Sequence, residues 1–210
     1  MKTFNNTTSA FEYYYSLLNK QKDNNGTKSL YNVMFKIKNT EDIIIKSDYR
    51  NFKTSYAEKE WQWYLSKNRS AKDISKIAKI WCNHMDENGN VNSNYGWQWS
   101  RNNQINYVIN ELKRDKYTRR AVLTIYDGKE HNDYKYDTPC TLNLQFYYEP
   151  NDTKLNMTVI MRSNDLWFGF CNDSYCFLKL HKLICDKLNT KQGYYVHYVQ
   201  NLHIYQRHYL

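Results

Sequence analysis

The segment Asp137-Thr-Pro-Cys140 puts a thiol directly after a proline and ahead of an alternating stretch. Pro139 fixes the backbone and has no N–H to give to a ladder, so Cys140 reads as a strand start beside a long loop. A thiol there either fills a small buried space or acts as a nucleophile, and the second use needs cations or bases nearby. Arg119-Arg120 is an adjacent pair at a helix-to-strand junction. Neighbouring strand residues point to opposite faces, so one arginine can pair internally while the other meets a phosphate or water. Met161-Arg-Ser-Asn-Asp165 offers the Arg162 fork and the Ser163 hydroxyl to phosphate oxygens, with Asp165 placed to orient an arginine or meet a base. The same residues also suit a plain turn.

Glu60 sits beside the apolar stripe of Trp61 and Tyr64. A carboxylate buried there gains a raised pKa suited to proton relay, whereas a boundary carboxylate simply reaches water. Asp173, or Ser174 beside it, is a ready helix N-cap. Cys171, Cys176, His181 and Cys185 match no common zinc spacing and fall largely inside one amphipathic helix, so no metal site is expected.

Several elements must position these groups. Helical periodicity covers Ser9–Lys22, Tyr56–Ser66 with Ala57, Trp61, Tyr64 and Leu65 on its stripe, Ser70–Met85, Asn102–Lys116 and Ser174–Leu188. Alternation marks strands at Leu30–Lys38, with Tyr31, Val33, Phe35 and Ile37 on one side, and at Ala121–Tyr126, Leu142–Tyr148, Leu155–Met161 and Tyr194–Tyr205. Loops are expected at Asp23–Ser29, Asp86–Asn94, Tyr126–Thr138 and Glu149–Lys154. With no linker or internal repeat, residues 1–210 form one domain of α+β class, a mixed central β-sheet flanked by helices.

The chain has 210 residues, enough for one substantial core but too few for two. Its net charge of +9 would suit an anionic ligand, yet the lysines are scattered, so no nucleic-acid partner is expected. No apolar stretch is long enough to span a bilayer, and the polar start does not look like a secretory signal. Five cysteines, an odd number without a small-domain framework, fit reduced thiols in a cytoplasm.

The order and spacing of Glu60, Trp81, Tyr95-Gly96, Arg119-Arg120, Pro139-Cys140, Gln145-Phe146, Arg162-Ser163-Asn164-Asp165, Gly169, Asp173 and His203-Ile-Tyr205 resemble the thymidylate synthase family over about residues 50–209. Within it, Asn92-Ser-Asn-Tyr-Gly-Trp97, Phe168-Gly-Phe170 and Asn172-Asp173 look like the phage deoxycytidylate hydroxymethylase branch. The resemblance implies a thymidylate synthase-like fold and covalent catalysis. Cys140 would add to C6 of a pyrimidine nucleoside monophosphate, and C5 would then attack the one-carbon unit of methylenetetrahydrofolate. It gives Arg162 and Ser163, with Asn164, Asp165, Gln145 and Lys28, to substrate binding. His203 and Tyr205 go to the ribose, Glu60 to a water-linked proton relay and Tyr95 to removal of the C5 proton. Trp81 and Gly169 go to the folate pocket. A homodimer is implied, with Arg119 and Arg120 reaching the neighbouring active site. Arg162 and the arginine pair are expected to help Cys140 ionise.

Four departures bear on the reaction. Asp173 stands where dUMP-directed synthases place Asn, and a carboxyl matches the reversed hydrogen-bonding edge of cytosine, although Asn172 lies next door. Thr141 follows Cys140 where many synthases have His, as in the hydroxymethylases. Lys28, in Asn25-Gly-Thr-Lys28, replaces the arginine of the synthase phosphate loop with a point charge. The chain stops at Leu210, ahead of the family's folate-closing tail, and a wetter site would favour hydroxymethyl over methyl product. Hence dCMP is the expected substrate. A methylating or dUMP-directed relative, and a degenerate binder of nucleotide or RNA, remain the alternatives.

Overall fold

A computed structural model describes residues 1–131 and 137–210. Among them, six strands form one mixed sheet: β1 (Lys2–Phe4), β2 (Thr27–Ile37), β3 (Val122–Thr124), β4 (Thr141–Tyr147), β5 (Lys154–Asp165) and β6 (Lys191–Tyr205). Their order is β1-β2-β6-β5-β4-β3. The β1–β2 and β5–β6 pairs are parallel, and the others antiparallel. The helices are α1 (Thr7–Asn19), α2 (Thr54–Leu65), α3 (Tyr95–Ser100), α4 (Gln104–Arg114), α5 (Gly128–His131) and α6 (Cys171–Leu188). The α+β expectation holds. Part of the loop expected over Tyr126–Thr138, residues 132–136, lies outside the described residues, and the described part contains α5.

Local chemistry explains the main elements. Asn6 caps α1 through a reciprocal box: the Ser9 N–H donates to Asn6 Oδ1 at 3.0 Å, and the Asn6 N–H donates to Ser9 Oγ at 3.3 Å. Thus Ser9, read as the helix start, is its third residue. Asn102 and Asn103, both left-handed (φ 54° and 57°), turn the chain between α3 and α4, a conformation Asn tolerates better than most residues. Phe11, Phe35, Phe146 and Phe170 are fully buried between helices and sheet. Each contributes about 2 kcal/mol through the apolar area it removes from water.

Three local expectations fail. Ser70–Met85 is not an α-helix: it folds as two short 3-10 turns, Ile74–Lys76 and Lys79–Asn83, around a small cluster of Ala71, Ile74 and Val91. Its apolar residues are shared between that cluster and exposed Ile77 and Ile80, so no single helical face is buried. Leu65 is exposed at the end of α2, where Glu60 takes a buried position instead. Tyr31 is exposed because Asn32 adopts φ 54° inside β2 and breaks the alternation that continues from Val33.

Candidate active site

The chemistry-bearing residues converge from five directions at one end of the sheet. Glu60 comes from α2, Tyr95 from the first residue of α3 and Cys140 from the loop entering β4. Arg162, Ser163 and Asn164 come from the last turns of β5, and Asp173 from the first turn of α6. Electrostatic influence runs between Glu60 and Asp173, Tyr95 and Asp173, Tyr95 and Cys140, and Cys140 and both Asp173 and Arg162.

Tyr95 is placed by its neighbour. A Cβ on Gly96 would lie 1.7 Å from the Tyr64 carbonyl oxygen, so only glycine lets α3 approach α2 this closely. Asn94 caps α3 by accepting from the Trp97 N–H at 2.8 Å. The strand-entry loop is tied to this helix. Asp137 accepts from the Ser93 N–H at 2.6 Å and from the Ser93 hydroxyl at 2.7 Å, and Asn92 Nδ2 donates to the Asp137 carbonyl at 2.9 Å. From the other side Arg162 holds the same loop: Nε donates to the Pro139 carbonyl at 3.1 Å and Nη2 to the Thr138 carbonyl at 2.8 Å. The Cys140 carbonyl accepts from the Arg162 N–H at 2.9 Å.

Burial sets the proton balance. It pushes the Cys140 thiol up to about 11, against the pull of Arg162 and with Asp173 and Asp137 adding to the rise. Arg162 does favour the thiolate, as expected, whereas Arg119 and Arg120 exert no such influence on Cys140 within the chain. Desolvation outweighs Arg162, while Arg119 and Arg120 point into solvent. Burial likewise raises Glu60 to about 8, assisted by the nearby Asp173 and opposed by the hydrogen bond from Tyr56. Asp173 rises to about 7, mainly by burial, opposed by Asn164. Although part of the Asp173 surface stays open, its surroundings are packed protein, and the desolvation follows from them. Near neutrality Glu60 is thus largely protonated and Asp173 about half protonated.

Other expected site residues take different places. Asp173 is not the N-cap of α6 but lies inside its first turn, where Asn164 Nδ2 donates to Asp173 Oδ2 at 2.8 Å. Asp165 does the capping: it accepts from the Trp167 and Phe168 N–H groups at 3.0 and 3.2 Å and starts the π-turn Leu166–Phe170. Its carboxylate is thereby committed to backbone rather than to a base or an arginine. Gly169 lies against the Asn164–Asp173 pair, where a Cβ would come within 2.7 Å of Asn164 Nδ2. Gln145 donates to the Arg119 carbonyl at 3.2 Å, bracing the arginine pair. Arg120 Nε meets Glu111 Oε2 at 2.9 Å yet remains largely exposed, as does Arg119. Lys28 caps the end of α1, donating to the Asn19 carbonyl at 2.8 Å beneath the Tyr209 ring. His203 and Tyr205 follow Asn201 on β6 beside Asp165, with their rings edge-to-face at 5.1 Å. Burial lowers the His203 pKa, with Asp165 opposing.

Two contributors escaped the sequence reading. Tyr56 donates to Glu60 Oε1 at 3.0 Å and accepts from Trp81 Nε1 at 3.0 Å. The spacing Tyr56–Glu60, one helical turn, was the available signal. Asp137 was read only as part of the cysteine motif, and its contact with Ser93 spans a separation no local pattern reveals. Among the described residues no cluster of His, Cys, Asp and Glu could hold a metal ion. No described helix is long and apolar enough to cross a membrane.

The mixed sheet thus brings together a thiol at a strand mouth, two carboxyls whose pKa values are raised by their surroundings, and an arginine. The family model described as thymidylate synthase matches residues 16–210, and the chain belongs to that family of one-carbon transferases acting on pyrimidine nucleotides. It is 37% identical over 171 residues to the deoxycytidylate 5-hydroxymethyltransferase of Enterobacteria phage T4, covering 73% of this chain and 68% of the relative. The thymidylate synthase of Fusobacterium nucleatum is 28% identical over 193 residues, covering 87% of this chain and 68% of that one. In fold it is similar to thermostable thymidylate synthase A from Bacillus subtilis, with a TM-score of 0.71 at 24% identity over 87% of this chain and 68% of the other.

Proposed function

We propose that the chain is a deoxycytidylate 5-hydroxymethyltransferase, turning dCMP, methylenetetrahydrofolate and water into 5-hydroxymethyl-dCMP and tetrahydrofolate. The observation that carries this reading is Asp173, a carboxyl raised to about 7 and held by Asn164 inside the site. Cytosine presents an acceptor at N3 and a donor at its exocyclic amine. A carboxyl sharing one proton with N3 answers both, whereas uracil would leave a buried mismatch costing about 1–3 kcal/mol. The likeness to the phage T4 enzyme supports the same choice.

Cys140 supplies the nucleophile. Its thiolate adds to C6, and the electron pair moves to C5, which attacks the one-carbon unit. The C5 proton leaves, with Tyr95 and Glu60 as the nearby acid–base groups. Tetrahydrofolate is expelled, water adds to the resulting exocyclic methylene, and the Cys140–C6 bond breaks. Arg162 keeps two donors on the loop carbonyls, and Nη1, with no partner among the described residues, is free for the phosphate beside Ser163. The half-buried Trp81 indole, tied by its N–H, leaves ring surface for stacking on folate. Exposed Arg119 and Arg120 suit phosphate binding across a homodimer.

Incubation of the protein with dCMP or dUMP and methylenetetrahydrofolate, with product mass as the readout, tests the reading. We expect 5-hydroxymethyl-dCMP, and no turnover by Cys140→Ala. Turnover of dUMP alone refutes the role of Asp173, and a methyl product with dihydrofolate refutes hydroxymethylation. Nucleotide binding without turnover by the wild type refutes the enzyme reading.

A further inference from the structure

The Trp81–Tyr56–Glu60 chain has a fixed direction. An indole nitrogen can only donate, so in the 3.0 Å contact the Tyr56 oxygen is the acceptor. Burial and the nearby Glu60 raise the Tyr56 pKa far above its ordinary value, so the phenol keeps its single proton. That proton points at Glu60 Oε1, 3.0 Å away. An oxygen that accepts from a neutral phenol at this distance is not also where a carboxylic proton sits. Glu60 makes no other hydrogen bond among the described residues.

We propose that Tyr56, oriented by Trp81, is a positioning residue that confines the exchangeable proton of Glu60 to Oε2. This rests on the relay role of Glu60 in the proposed reaction. Proton transfer needs one defined donor oxygen within reach of its partner, and a carboxyl free to carry its proton on either oxygen spends half its time misdirected. The sequence places Tyr56 at i−4 of Glu60, so both groups emerge on the same side of α2. The groups that face this pair are Tyr64 on α2 itself and Asp173 and Cys176 on α6. The 3-10 turn packed nearby carries Lys76, which is exposed and paired with Asp73. None of these groups donates to Oε1, so Tyr56 alone among the described residues fixes which oxygen is protonated.

The test uses Tyr56→Phe in the full chain. Infrared difference spectra against Glu60→Gln isolate the carbonyl stretch of protonated Glu60. Loss of the donor to Oε1 should move that band to higher wavenumber and raise its titration midpoint by about one pH unit. Under turnover, kcat should fall about twofold, the share of time the proton is misdirected, while KM for the nucleotide stays unchanged, and the limb of the pH profile due to Glu60 should move with the midpoint. An unmoved band and midpoint overturn the proposal. Trp81→Phe, which keeps the Tyr56–Glu60 bond but removes the indole donor, should shift the band the same way by less, and no shift there refutes the orienting role. The spectra need no turnover. An inactive wild type with the expected band shift therefore refutes the catalytic reading alone, whereas an active wild type with an unmoved band refutes the positioning role alone.

Discussion

The side-chain amide of Asn164 donates to Asp173 Oδ2 at 2.8 Å, and Gly169 packs directly against that pair. The bond stabilises the ionised carboxylate and fixes the orientation in which, under the proposed function, the carboxyl meets the base. Asn164→Ala should raise the proton affinity of Asp173 and release the carboxyl from its orientation. We expect the ratio of kcat/KM for dCMP over dUMP to fall about tenfold, the scale of one buried hydrogen bond. Asp173→Asn should invert the preference outright. Competition assays with both nucleotides check this, and an unchanged ratio in both variants would remove the pair from base selection.

Thiol chemistry should follow burial rather than arginine proximity. Cys82 is exposed, Cys140 is half-buried, and Cys171, Cys176 and Cys185 are buried. Alkylation by iodoacetamide, mapped by mass, should label Cys82 first, Cys140 slowly, and the other three only after unfolding. The Cys140 rate should climb with pH toward about 11, because only the thiolate reacts. Arg162→Gln removes the positive charge that keeps this value from rising further and the donors that hold the Thr138–Pro139 loop. Its Cys140 should be slower still at a given pH.

Gly96→Ala should destabilise the protein by about 3 kcal/mol or more, since its Cβ would overlap the Tyr64 carbonyl and push α3 from α2. Urea denaturation reads the loss. Gly128→Ala, where no heavy atom lies within 4 Å, should be close to neutral and serves as the control.

Two buried histidines predict acid sensitivity. His197 Nδ1 lies 2.6 Å from the Tyr195 hydroxyl and His181 Nε2 lies 2.8 Å from the Leu155 carbonyl, while the second nitrogen of each ring has no partner among the described residues. Burial lowers their pKa values to about 3 and about 4. The unfolded chain titrates near 6.5, so below that pH it takes up protons the folded chain refuses. Stability contributed by each neutral ring is complete above about pH 6.5 and is lost on acidification toward about pH 4. Glu60 and Asp173 act in the opposite sense over the overlapping range, so the comparison must be made between variants. His181→Gln should lose about 2 kcal/mol less than wild type between pH 7 and pH 4.5. Parallel pH–denaturation curves would refute this.

Much of this was legible from residue order. The strands β2, β4 and β5 and the helices α4 and α6 follow from periodicity, because each buries one regular face. The Cys140, Arg162, Asp173 and Glu60 set came from spaced motifs, and the chain brings those four together. What failed depended on contacts distant in sequence. Ser70–Met85 has helical spacing but only a small three-residue cluster to cover, so it breaks into turns. Asp165 and Asp173 are both plausible caps by type, and only the π-turn between them decides which one caps. Lys28 and Gln145, expected at the substrate from their chemistry, also donate to the carbonyls of Asn19 and Arg119, contacts that no local pattern reveals. The Tyr56 phenol needed the indole of Trp81, across a stretch whose fold was misread, before its direction could be known.

The two raised carboxyls carry a cost that selection for robustness would expose. Glu60 and Asp173 favour the folded chain while protonated; that preference is full below the ordinary carboxyl range at about 4 and is lost progressively until pH reaches about 7 to 8. Directed evolution for heat resistance at alkaline pH would therefore reward Glu60→Gln and Asp173→Asn, the changes that disarm the reaction. The survivors of such a screen would be the most durable and least useful members of the library, and only a screen at about pH 4, where both groups stay protonated folded or unfolded, would spare both residues.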